Sequence, residues 1–442
     1  MIFELSIGDT CIVKGGKRLP KGHQLLQSKT KHPYIRTRDI NDHKININEI
    51  EYITPETNKE IERYIVDKGN LIISIVGTVG SCAIIPENLD KANLTENCAK
   101  IVPKDSSVDT NFLYYFLISK IGQYEIFKNT VGSTQLKLPL YGINNIKIPS
   151  IDKESQVRIA DLLSTLDKKI ELNQKMNETL DGIAKTLFKS WFLDFDPVRA
   201  KAEGSSAGLS KEISDLFPDS FEDSELGKIP KGWRITSLND ITSKFTTGLN
   251  PRKNFVLGSG DNFYVTIKNL GDFEVVLDDK CDKVDDDAIK KINSRSDLKK
   301  NDILFSGIGT IGKVVYVFDK VKNWNISESV FSLRANSEVT FPSFLYQLLK
   351  SYPLQGYVQA LAGGSVQRGI RMGSLKEYQF TLSNFEVQQL FHETISPMIE
   401  KISLNLNETK NLINIRDTLL PNLISGELKI PDAENLIEEA GV

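Results

Sequence analysis

The chain has 442 residues, of which 40% are hydrophobic and 26% charged, a composition that fits a soluble protein of two or three domains. The formal net charge of −3 hides two mildly basic blocks, because residues 1–150 carry 19 Lys and Arg against 16 Asp and Glu, and residues 231–381 carry 21 against 16. No stretch reaches the roughly 18 apolar residues of a membrane span, and MIFELSIGDT lacks the pattern of a secretory leader, so we expect a cytoplasmic protein.

A tandem repeat organises the chain. Residues of the first half recur in the second at a spacing of 232, and the recurring pairs include Ser74 and Ser306, Gly77 and Gly309, Thr78 and Thr310, Gly80 and Gly312, Asn93 and Asn325, Glu96 and Glu328, and Gln156 and Gln388. Further upstream, PYIRTRDI at 33–40 matches FYVTIKNL at 263–270. A repeat of this length predicts two copies of one structural unit.

Each copy begins with a β-rich module. In chain order, β-branched runs at 71–76 and 82–85 flank the glycines of GTVG, and runs at 303–306 and 314–318 flank the same turn in the second copy, which predicts a hairpin in each. NFLYYFLIS and SFLYQLLKS then space their apolar residues as short helices. We assign the two modules to residues 1–150 and 231–381.

A long helix follows each module, within residues 151–200 and 382–425. Apolar residues recur there every seven positions, as in a coiled-coil seam; the seam residues are Ile159, Leu162, Leu166, Ile170, Met176, Leu180, Ile183 and Leu187, then Phe391, Ile395, Met398, Ile402, Leu412, Ile415 and Leu419. Each seam carries one Asn, and we expect Asn173 to face Asn405 and set the register; the alternative places both at the wet edge of the seam. Pro397 lacks an amide donor and should kink or restart the second helix.

Two further segments are assigned from composition. AKAEGSSAGLS at 200–210 is small and polar, as linkers are, and we assign the linker to residues 201–230. The C-terminal tail, residues 426–442, ends in an acidic stretch, which favours an unstructured end.

No motif specifies a catalytic centre. GIGTIGK at 307–313 satisfies GxGxxG, but the β-branched run after it and the missing leading glycine in the matching IVGTVGS indicate a turn rather than a nucleotide site. The four histidines and four cysteines lack metal-ligand spacing, so the cysteines should be structural thiols, and Glu427-Leu428-Lys429 lacks the upstream acid of a nuclease site. The Asn- or Asp-Pro-Pro-aromatic motif of methyltransferases is absent. We therefore expect no catalytic residue, metal or cofactor in this chain.

Recognition chemistry remains. Gln, Asn and Arg can form paired hydrogen bonds with base edges, while Lys and Arg neutralise phosphates. The repeat places such residues in matching loops, GSTQLK at 132–137 and GGSVQRGIR at 363–371. For any one residue the alternative is ordinary surface charge. The candidate DNA-binding residues are Lys14, Lys17, Arg18, Lys21, Tyr34, Arg36, Arg38, Gln135, Lys137, Arg252, Lys253, Tyr264, Thr266, Lys268, Gln367, Arg368 and Arg371.

The whole pattern resembles the specificity (S) subunit of type I restriction-modification enzymes. The resemblance rests on two diverged modules each followed by a similar helix, on ELGKIPKGW at 225–233 opening the second module, and on LFKSWFLDFDPV at 187–198. The C-terminal RDTLLPNLISGELKI at 416–430 also resembles that family's ending. The first module departs from the family because MIFELSIGD lacks an IPxGW entry, which leaves its start undefined.

The resemblance implies an α+β fold in which two β-rich target-recognition domains are each followed by a long helix, the helices pairing as an antiparallel coiled coil with pseudo-two-fold symmetry. It implies a non-catalytic subunit that reads two DNA half-sites, with a spacer set by the helices. Two methyltransferase subunits using S-adenosylmethionine and two ATP- and Mg-dependent restriction subunits would supply the chemistry. The alternatives are a stand-alone nucleic-acid-modifying enzyme and a scaffold that does not bind DNA.

Overall fold

The computed structural model describes residues 5–205, 208–362 and 369–439. The chain divides into two compact units, the first made of Met1–Asn173 and Asn407–Val442 and the second of Gln174–Leu406. Each unit therefore joins one β-rich module to a section of each long helix, and the division falls inside the helices rather than at the ends of the modules.

The first unit contains three small sheets and several short helices. Its strands are β1 (Leu5–Ser6), β2 (Cys11–Gly15), β3 (Pro33–Ile35), β4 (Ile40–Asn41), β5 (Lys44–Ile45), β6 (Glu51–Tyr52), β7 (Ile65–Val66), β8 (Leu71–Ser74), β9 (Cys82–Ile84), β10 (Ala92–Leu94), β11 (Cys98–Pro103) and β12 (Lys147–Ile148). Its helices are α1 (Ile7–Thr10), α2 (Pro55–Glu60), α3 (Thr110–Ile118), α4 (Lys120–Lys128), α5 (Leu140–Asn145) and the start of α6 (Lys153–Phe192). The sheet orders are β2-β11-β8-β9, β6-β3-β10-β7 and β1-β12, beside the β4-β5 hairpin.

The second unit repeats this arrangement. Its helices are the rest of α6, α7 (Asp196–Ala202), α8 (Lys211–Asp215), α9 (Asp286–Ser296), α10 (Pro342–Lys350), α11 (Tyr352–Leu361), α12 (Met372–Lys376) and the first half of α13 (Phe385–Ser425). The second half of α13 and α14 (Ile430–Glu439) belong to the first unit. Its strands are β13 (Phe221–Ser224), β14 (Gly227–Pro230), β15 (Arg234–Ser237), β16 (Thr242–Thr247), β17 (Asn262–Val265), β18 (Asp282–Val284), β19 (Ile303–Ser306), β20 (Val314–Tyr316), β21 (Trp324–Ile326), β22 (Val330–Ala335) and β23 (Gln379–Leu382).

The duplication extends to strand order and register. The second unit's sheets run β16-β22-β19-β20, β18-β17-β21 and β15-β23, so its four-stranded antiparallel sheet has the order of the first unit's β2-β11-β8-β9. A parallel pair recurs as well, with Asn93 opposite Tyr34 in one unit and Asn325 opposite Tyr264 in the other. The repeat predicted from sequence is thus a repeat of structure.

The central strands are buried on both faces, which explains their unbroken apolar sequences. In β8, Leu71 and Ile73 join the core under the helices, whereas Ile72 joins a second core shared with β10 and β7. In β19, Ile303 and Phe305 face the helical core, and Leu304 faces the other side. Alternate side chains of a strand point to opposite faces, so LIIS and ILFS serve two cores at once.

The two long helices run antiparallel within each unit. In the first unit Asp167 of α6 pairs with Arg416 of α13, and six residues further along α6 Asn173 pairs with Glu408, an earlier residue of α13. In α6, Ile159, Leu166, Ile170 and Asn173 are buried as predicted, but Leu163 is buried in place of Leu162. After Asn173 the buried positions shift by one residue. Asp181, Ala184 and Phe188 are buried where Leu180, Ile183 and Leu187 were expected, and Ile183 is 46% exposed. A heptad pattern assumes 3.5 residues per turn, whereas a straight α-helix has 3.6, so the buried face slowly moves around the helix. An insertion of four residues into the heptad pattern shifts the buried positions in this way.

Three expectations are corrected. Helix α13 continues through Pro397, so the helix does not restart there, while a kink at this residue stays a prediction. The buried Phe391, Ile395, Ile399 and Ile402 around it provide packing that offsets the roughly 3 kcal/mol cost of a helical proline. The linker region contains α8 and the β13-β14 hairpin. The tail forms α14, whose Ala433 and Ile437 pack on the first unit's core, so its described part is not unstructured. Apolar residues four positions apart lie on one face of a helix, and that face is enough to bind an otherwise acidic helix.

Candidate nucleic-acid interface

The glycine turn predicted between two strands is present in both units with the same hydrogen bonds. Ser306 Oγ donates to the carbonyl of Thr310 at 2.6 Å and accepts from the amide of Lys313 at 2.8 Å; Ser74 makes the matching bonds to Thr78 and Ser81. Gly77, Gly80, Gly309 and Gly312 have φ between 77° and 90°, a region that favours glycine. Strand β20 follows the second turn directly, so GIGTIGK does not lead into the helix that a phosphate-binding loop requires.

The Gln-bearing loop of the first unit packs on this turn. The amide of Leu138 donates to the carbonyl of Ile75 at 2.9 Å, and Val76 and Lys137 form an isolated β-bridge. Gln135 and Lys137 themselves are exposed. The framework therefore presents these two side chains to solvent beside a rigid turn.

In the second unit the described end of the loop, from Gly369 onward, is anchored in the same way. The amide of Ile370 donates to the carbonyl of Gly307 at 2.9 Å, and Ile308 bridges to Gly369. Arg371 follows as an exposed residue just before α12. Gln367 and Arg368 lie outside the described residues, and their role stays a prediction.

The two tyrosines are core residues, which corrects their assignment as DNA-contacting aromatics. Tyr34 is 3% and Tyr264 2% exposed, and burial raises the pKa of each phenol. Tyr34 Oη donates to the carbonyl of Lys17, and Tyr264 Oη to the carbonyl of Leu249, both at 2.7 Å. Each tyrosine packs under the turn whose carbonyl it binds, and its buried ring is not available for stacking on a base.

Two matched positions follow each tyrosine. The first holds a residue that caps a short turn, and the second holds an exposed residue. Arg36 has an 18% exposed side chain and pairs with Asp39 and Glu51. Thr266 likewise bonds to Asn269. Each residue therefore stabilises the single 3-10 turn that follows it in its own unit. Arg38 is 61% exposed although it contacts Glu51 at 2.9 Å, and Lys268 is exposed. The latter pair remains suited to contact DNA.

Both supported turns carry exposed cations. Lys14, Lys17, Arg18 and Lys21 follow or belong to β2, and Arg252 and Lys253 follow β16. Arg18 donates to Glu96 at 2.6 Å, but its side chain is 80% exposed, so this pair is worth little and can exchange for a phosphate. The turns are therefore exposed basic surfaces on buried supports.

The seam asparagines are buried, so the alternative of a wet edge is wrong. Asn173 is 3% exposed and donates to Glu408 Oε2 at 2.8 Å in the first unit. Asn405 is 0% exposed and donates to Asn177 Oδ1 at 2.8 Å in the second. Each Asn thus donates to a neighbour in its own unit, and Asn177 enters the seam through the shift after Asn173. That Asn173 faces Asn405 stays a prediction.

Sequence reasoning missed two buried or half-buried aspartates of α6, one in each unit, that bind side chains of the adjoining module. In the first unit Asp167 accepts from Arg416 Nη1 and Tyr115 Oη, both at 2.8 Å. In the second unit Asp181 accepts from Lys350 Nζ, which also donates to Tyr346 Oη at 3.0 Å. Burial lowers the pKa of Lys350 while Asp181 opposes that shift. The sequence signal for both contacts was an aspartate directly after a predicted seam leucine, in Leu166-Asp167 and Leu180-Asp181.

Among the described residues there is no group of three potential metal ligands and no helix that could cross a bilayer. The four cysteines are buried thiols, and burial raises the pKa of Cys98 to about 12 and of Cys281 to about 11. Reactive cysteines require a stabilised thiolate, so these residues pack as small apolar groups.

Known proteins share both sequence and fold with the chain. Residues 4–181 and 230–414 match the type I restriction modification DNA specificity domain. The HindI specificity subunit of Haemophilus influenzae is 27% identical over 89% of this chain and 94% of its own length, and the MjaIX specificity subunit of Methanocaldococcus jannaschii is 27% identical over 90% and 87%. The type I restriction-modification S subunit of M. genitalium has a similar fold, with a TM-score of 0.54 at 17% identity over 95% of this chain and 94% of that one. Since both halves match over most of their length, the chain belongs to the type I restriction-modification DNA specificity subunits.

Proposed function

We propose that this subunit reads a bipartite, asymmetric DNA target, with one half-site for each β-rich module. The observation that carries this proposal is the contrast between framework and surface. The turn, its serine and the loop anchor have the same hydrogen bonds in both units, whereas the exposed residues around them differ, as in Arg38 against Lys268. One framework with two sets of surface side chains suits two unlike half-sites.

The long helices suit the role of a spacer. Helix α6 has 40 residues and α13 has 41, so each is about 60 Å long at 1.5 Å per residue. One turn of DNA is roughly 34 Å, so each helix is long enough to span the distance between two half-sites one turn apart. We infer that the helix pair sets the number of unread base pairs in the target.

The partners supply the chemistry in this proposal. Two methyltransferase subunits would bring S-adenosylmethionine and methylate adenine, and two restriction subunits would bring ATP and Mg for translocation and cleavage. This chain would contribute no catalytic group. The assembled enzyme would act in the cytoplasm, where the DNA is.

The decisive experiment maps methylated adenines in cells with and without this gene. The expected result is one two-part motif that disappears with the gene. Replacing residues 1–150 with the module of another specificity subunit should then change one part of the motif and leave the other intact. A change in both parts would contradict separate readers, and an unchanged methylation map would contradict the proposed function. Methylation by the purified chain alone would support the stand-alone enzyme.

A further inference from the structure

Helix α9 forms one surface with the turn that follows β16. Ala288, Ile289 and Ile292 of α9 pack against apolar side chains of the turn, namely Leu249, Phe255 and Leu257. Lys291 Nζ also donates to the carbonyl of Asn254 at 3.1 Å. The helix and the turn are therefore fixed to each other by both apolar and polar contacts.

This surface carries five exposed cations, although α9 begins with the exposed Asp286 and Asp287. We call the exposed side chains of Arg252, Lys253, Lys290, Lys291 and Arg295 the α9 surface. Lys290 lies 3.5 Å from Asp287, but both are highly exposed, at 76% and 96%, so that pair is weak. Within residues 5–205, 208–362 and 369–439, none of the other four cations forms an ion pair. Arg295 donates to Thr247 Oγ1 at 3.1 Å, which orients it toward the same turn.

The first unit has no equivalent of the α9 surface. Asn325 donates to Asn293 of α9 just as Asn93 donates to Asn58 of α2, so the two helices occupy matching places. Helix α2, with the sequence PETNKE, carries two glutamates and one lysine, and Glu60 lies 3.6 Å from His23. The basic charge on α9 is thus particular to the second module and is not required by the shared fold.

We propose that the α9 surface binds backbone phosphates of duplex DNA beside the second half-site. This inference rests on the proposed function. Phosphates are the fitting ligand because lysines on flexible stems act as point charges and tolerate any base sequence. The adjoining turn carries Arg252 and Lys253, so the helix extends a basic surface that the supported turn begins.

The test compares two double variants in the full chain assembled with its methyltransferase subunits. Lys290→Gln with Lys291→Gln removes two charges from α9, and the matched control, Lys228→Gln with Lys231→Gln, removes two exposed charges at the β13-β14 hairpin. Binding to duplexes with and without the target is measured from about 50 to 200 mM salt. The α9 variant should bind every duplex up to about 30-fold more weakly, with a salt slope reduced by about two, whereas the control should keep the wild-type slope.

Lys290→Arg with Lys291→Arg keeps the charges and should restore both affinity and slope, which separates charge loss from a disturbed fold. If wild type binds its target but the α9 variant has the same affinity and slope, the inference is overturned and the proposed function stands. A loss confined to duplexes with one particular base would overturn it too, because the surface would read bases. Loss of assembly with the methyltransferase, at unchanged DNA affinity, would assign the surface to an acidic protein partner instead. Failure of the wild-type assembly to prefer any duplex would reject the proposed function itself.

Discussion

The side-chain amide of Asn405 donates a 2.8 Å hydrogen bond to Asn177 Oδ1, and the two residues are 0% and 2% exposed between α13 and α6 of the second unit. Burying a side-chain amide costs folding free energy unless the amide is hydrogen-bonded. The pair lies in a seam that is mostly apolar but also buries Asn173 and Asp181. This arrangement is typical of polar residues that select one helix register over its neighbours.

Removing one member of this pair should destabilise the helix pairing more than removing both. Asn405→Leu leaves the amide of Asn177 buried without its partner, which costs about 1–3 kcal/mol. Asn177→Leu with Asn405→Leu should recover most of that loss, because no polar group is then left unpaired. Denaturant midpoints of the two single variants and the double variant measure this. Losses that simply add in the double variant would show that the amides do not act as a pair.

Lengthening the helices should change the target spacer. Inserting about four residues after Asn173 and after Asn405 adds one turn, about 5.4 Å, to each helix, and B-DNA rises about 3.4 Å per base pair. The methylated motif should then gain about one or two unread base pairs while its two halves stay the same. Sequencing of methylated adenines in cells with the variant gene measures the spacer. An unchanged spacer would remove the helices from the proposed measuring role.

Gln135 should contribute to the reading of bases in the first half-site. It is exposed in a loop anchored to the glycine turn, and a glutamine that pairs with a base edge discriminates by about 1–3 kcal/mol. Gln135→Ala should relax one position of the first half-site and leave the second unaffected, whereas Lys137→Ala should weaken binding to all duplexes. Competition binding with single-base variants of the target distinguishes the two effects. An equal loss for every sequence with Gln135→Ala would mark it as a backbone contact.

Acid should destabilise the second unit through His392. Burial lowers the pKa of this imidazole, although Glu393 and Glu400 oppose the shift, and its Nδ1 lies 2.8 Å from both Ser343 Oγ and Ser396 Oγ. The unfolded chain binds a proton near pH 6.5, at which the folded chain does not, so stability is present above about pH 6.5 and is lost as the pH falls through that value toward the lowered pKa.

Thermal unfolding at several pH values between about 5 and 8 measures this contribution. His392→Gln keeps hydrogen-bonding capacity without a titrating group and should flatten the pH dependence relative to wild type. Identical profiles for wild type and His392→Gln would assign the acid sensitivity to other groups.

Local sequence determined those features that depend on short-range chemistry. The glycines and serine of GTVG and GIGTIGK specify the same turn twice, and the heptad pattern locates α6 and α13 within a few residues of their ends. The duplication itself was visible because both copies use the same residues for the same local hydrogen bonds, as Ser74 and Ser306 show.

Only the tertiary structure decided which side chains reach the surface and which partners they meet. Tyr34 and Tyr264 look like recognition aromatics in sequence, yet their rings fill cores. Asn173 and Asn405 occupy matching slots, yet one donates to a carboxylate, Glu408, and the other to an amide, Asn177. The basic face of α9 appears only when the helix packs on the turn after β16, and α14 forms because Ala433 and Ile437 meet an apolar surface more than 200 residues away in sequence. Turns and helical periods are set by neighbouring residues, whereas burial and pairing are set by distant ones that packing brings together.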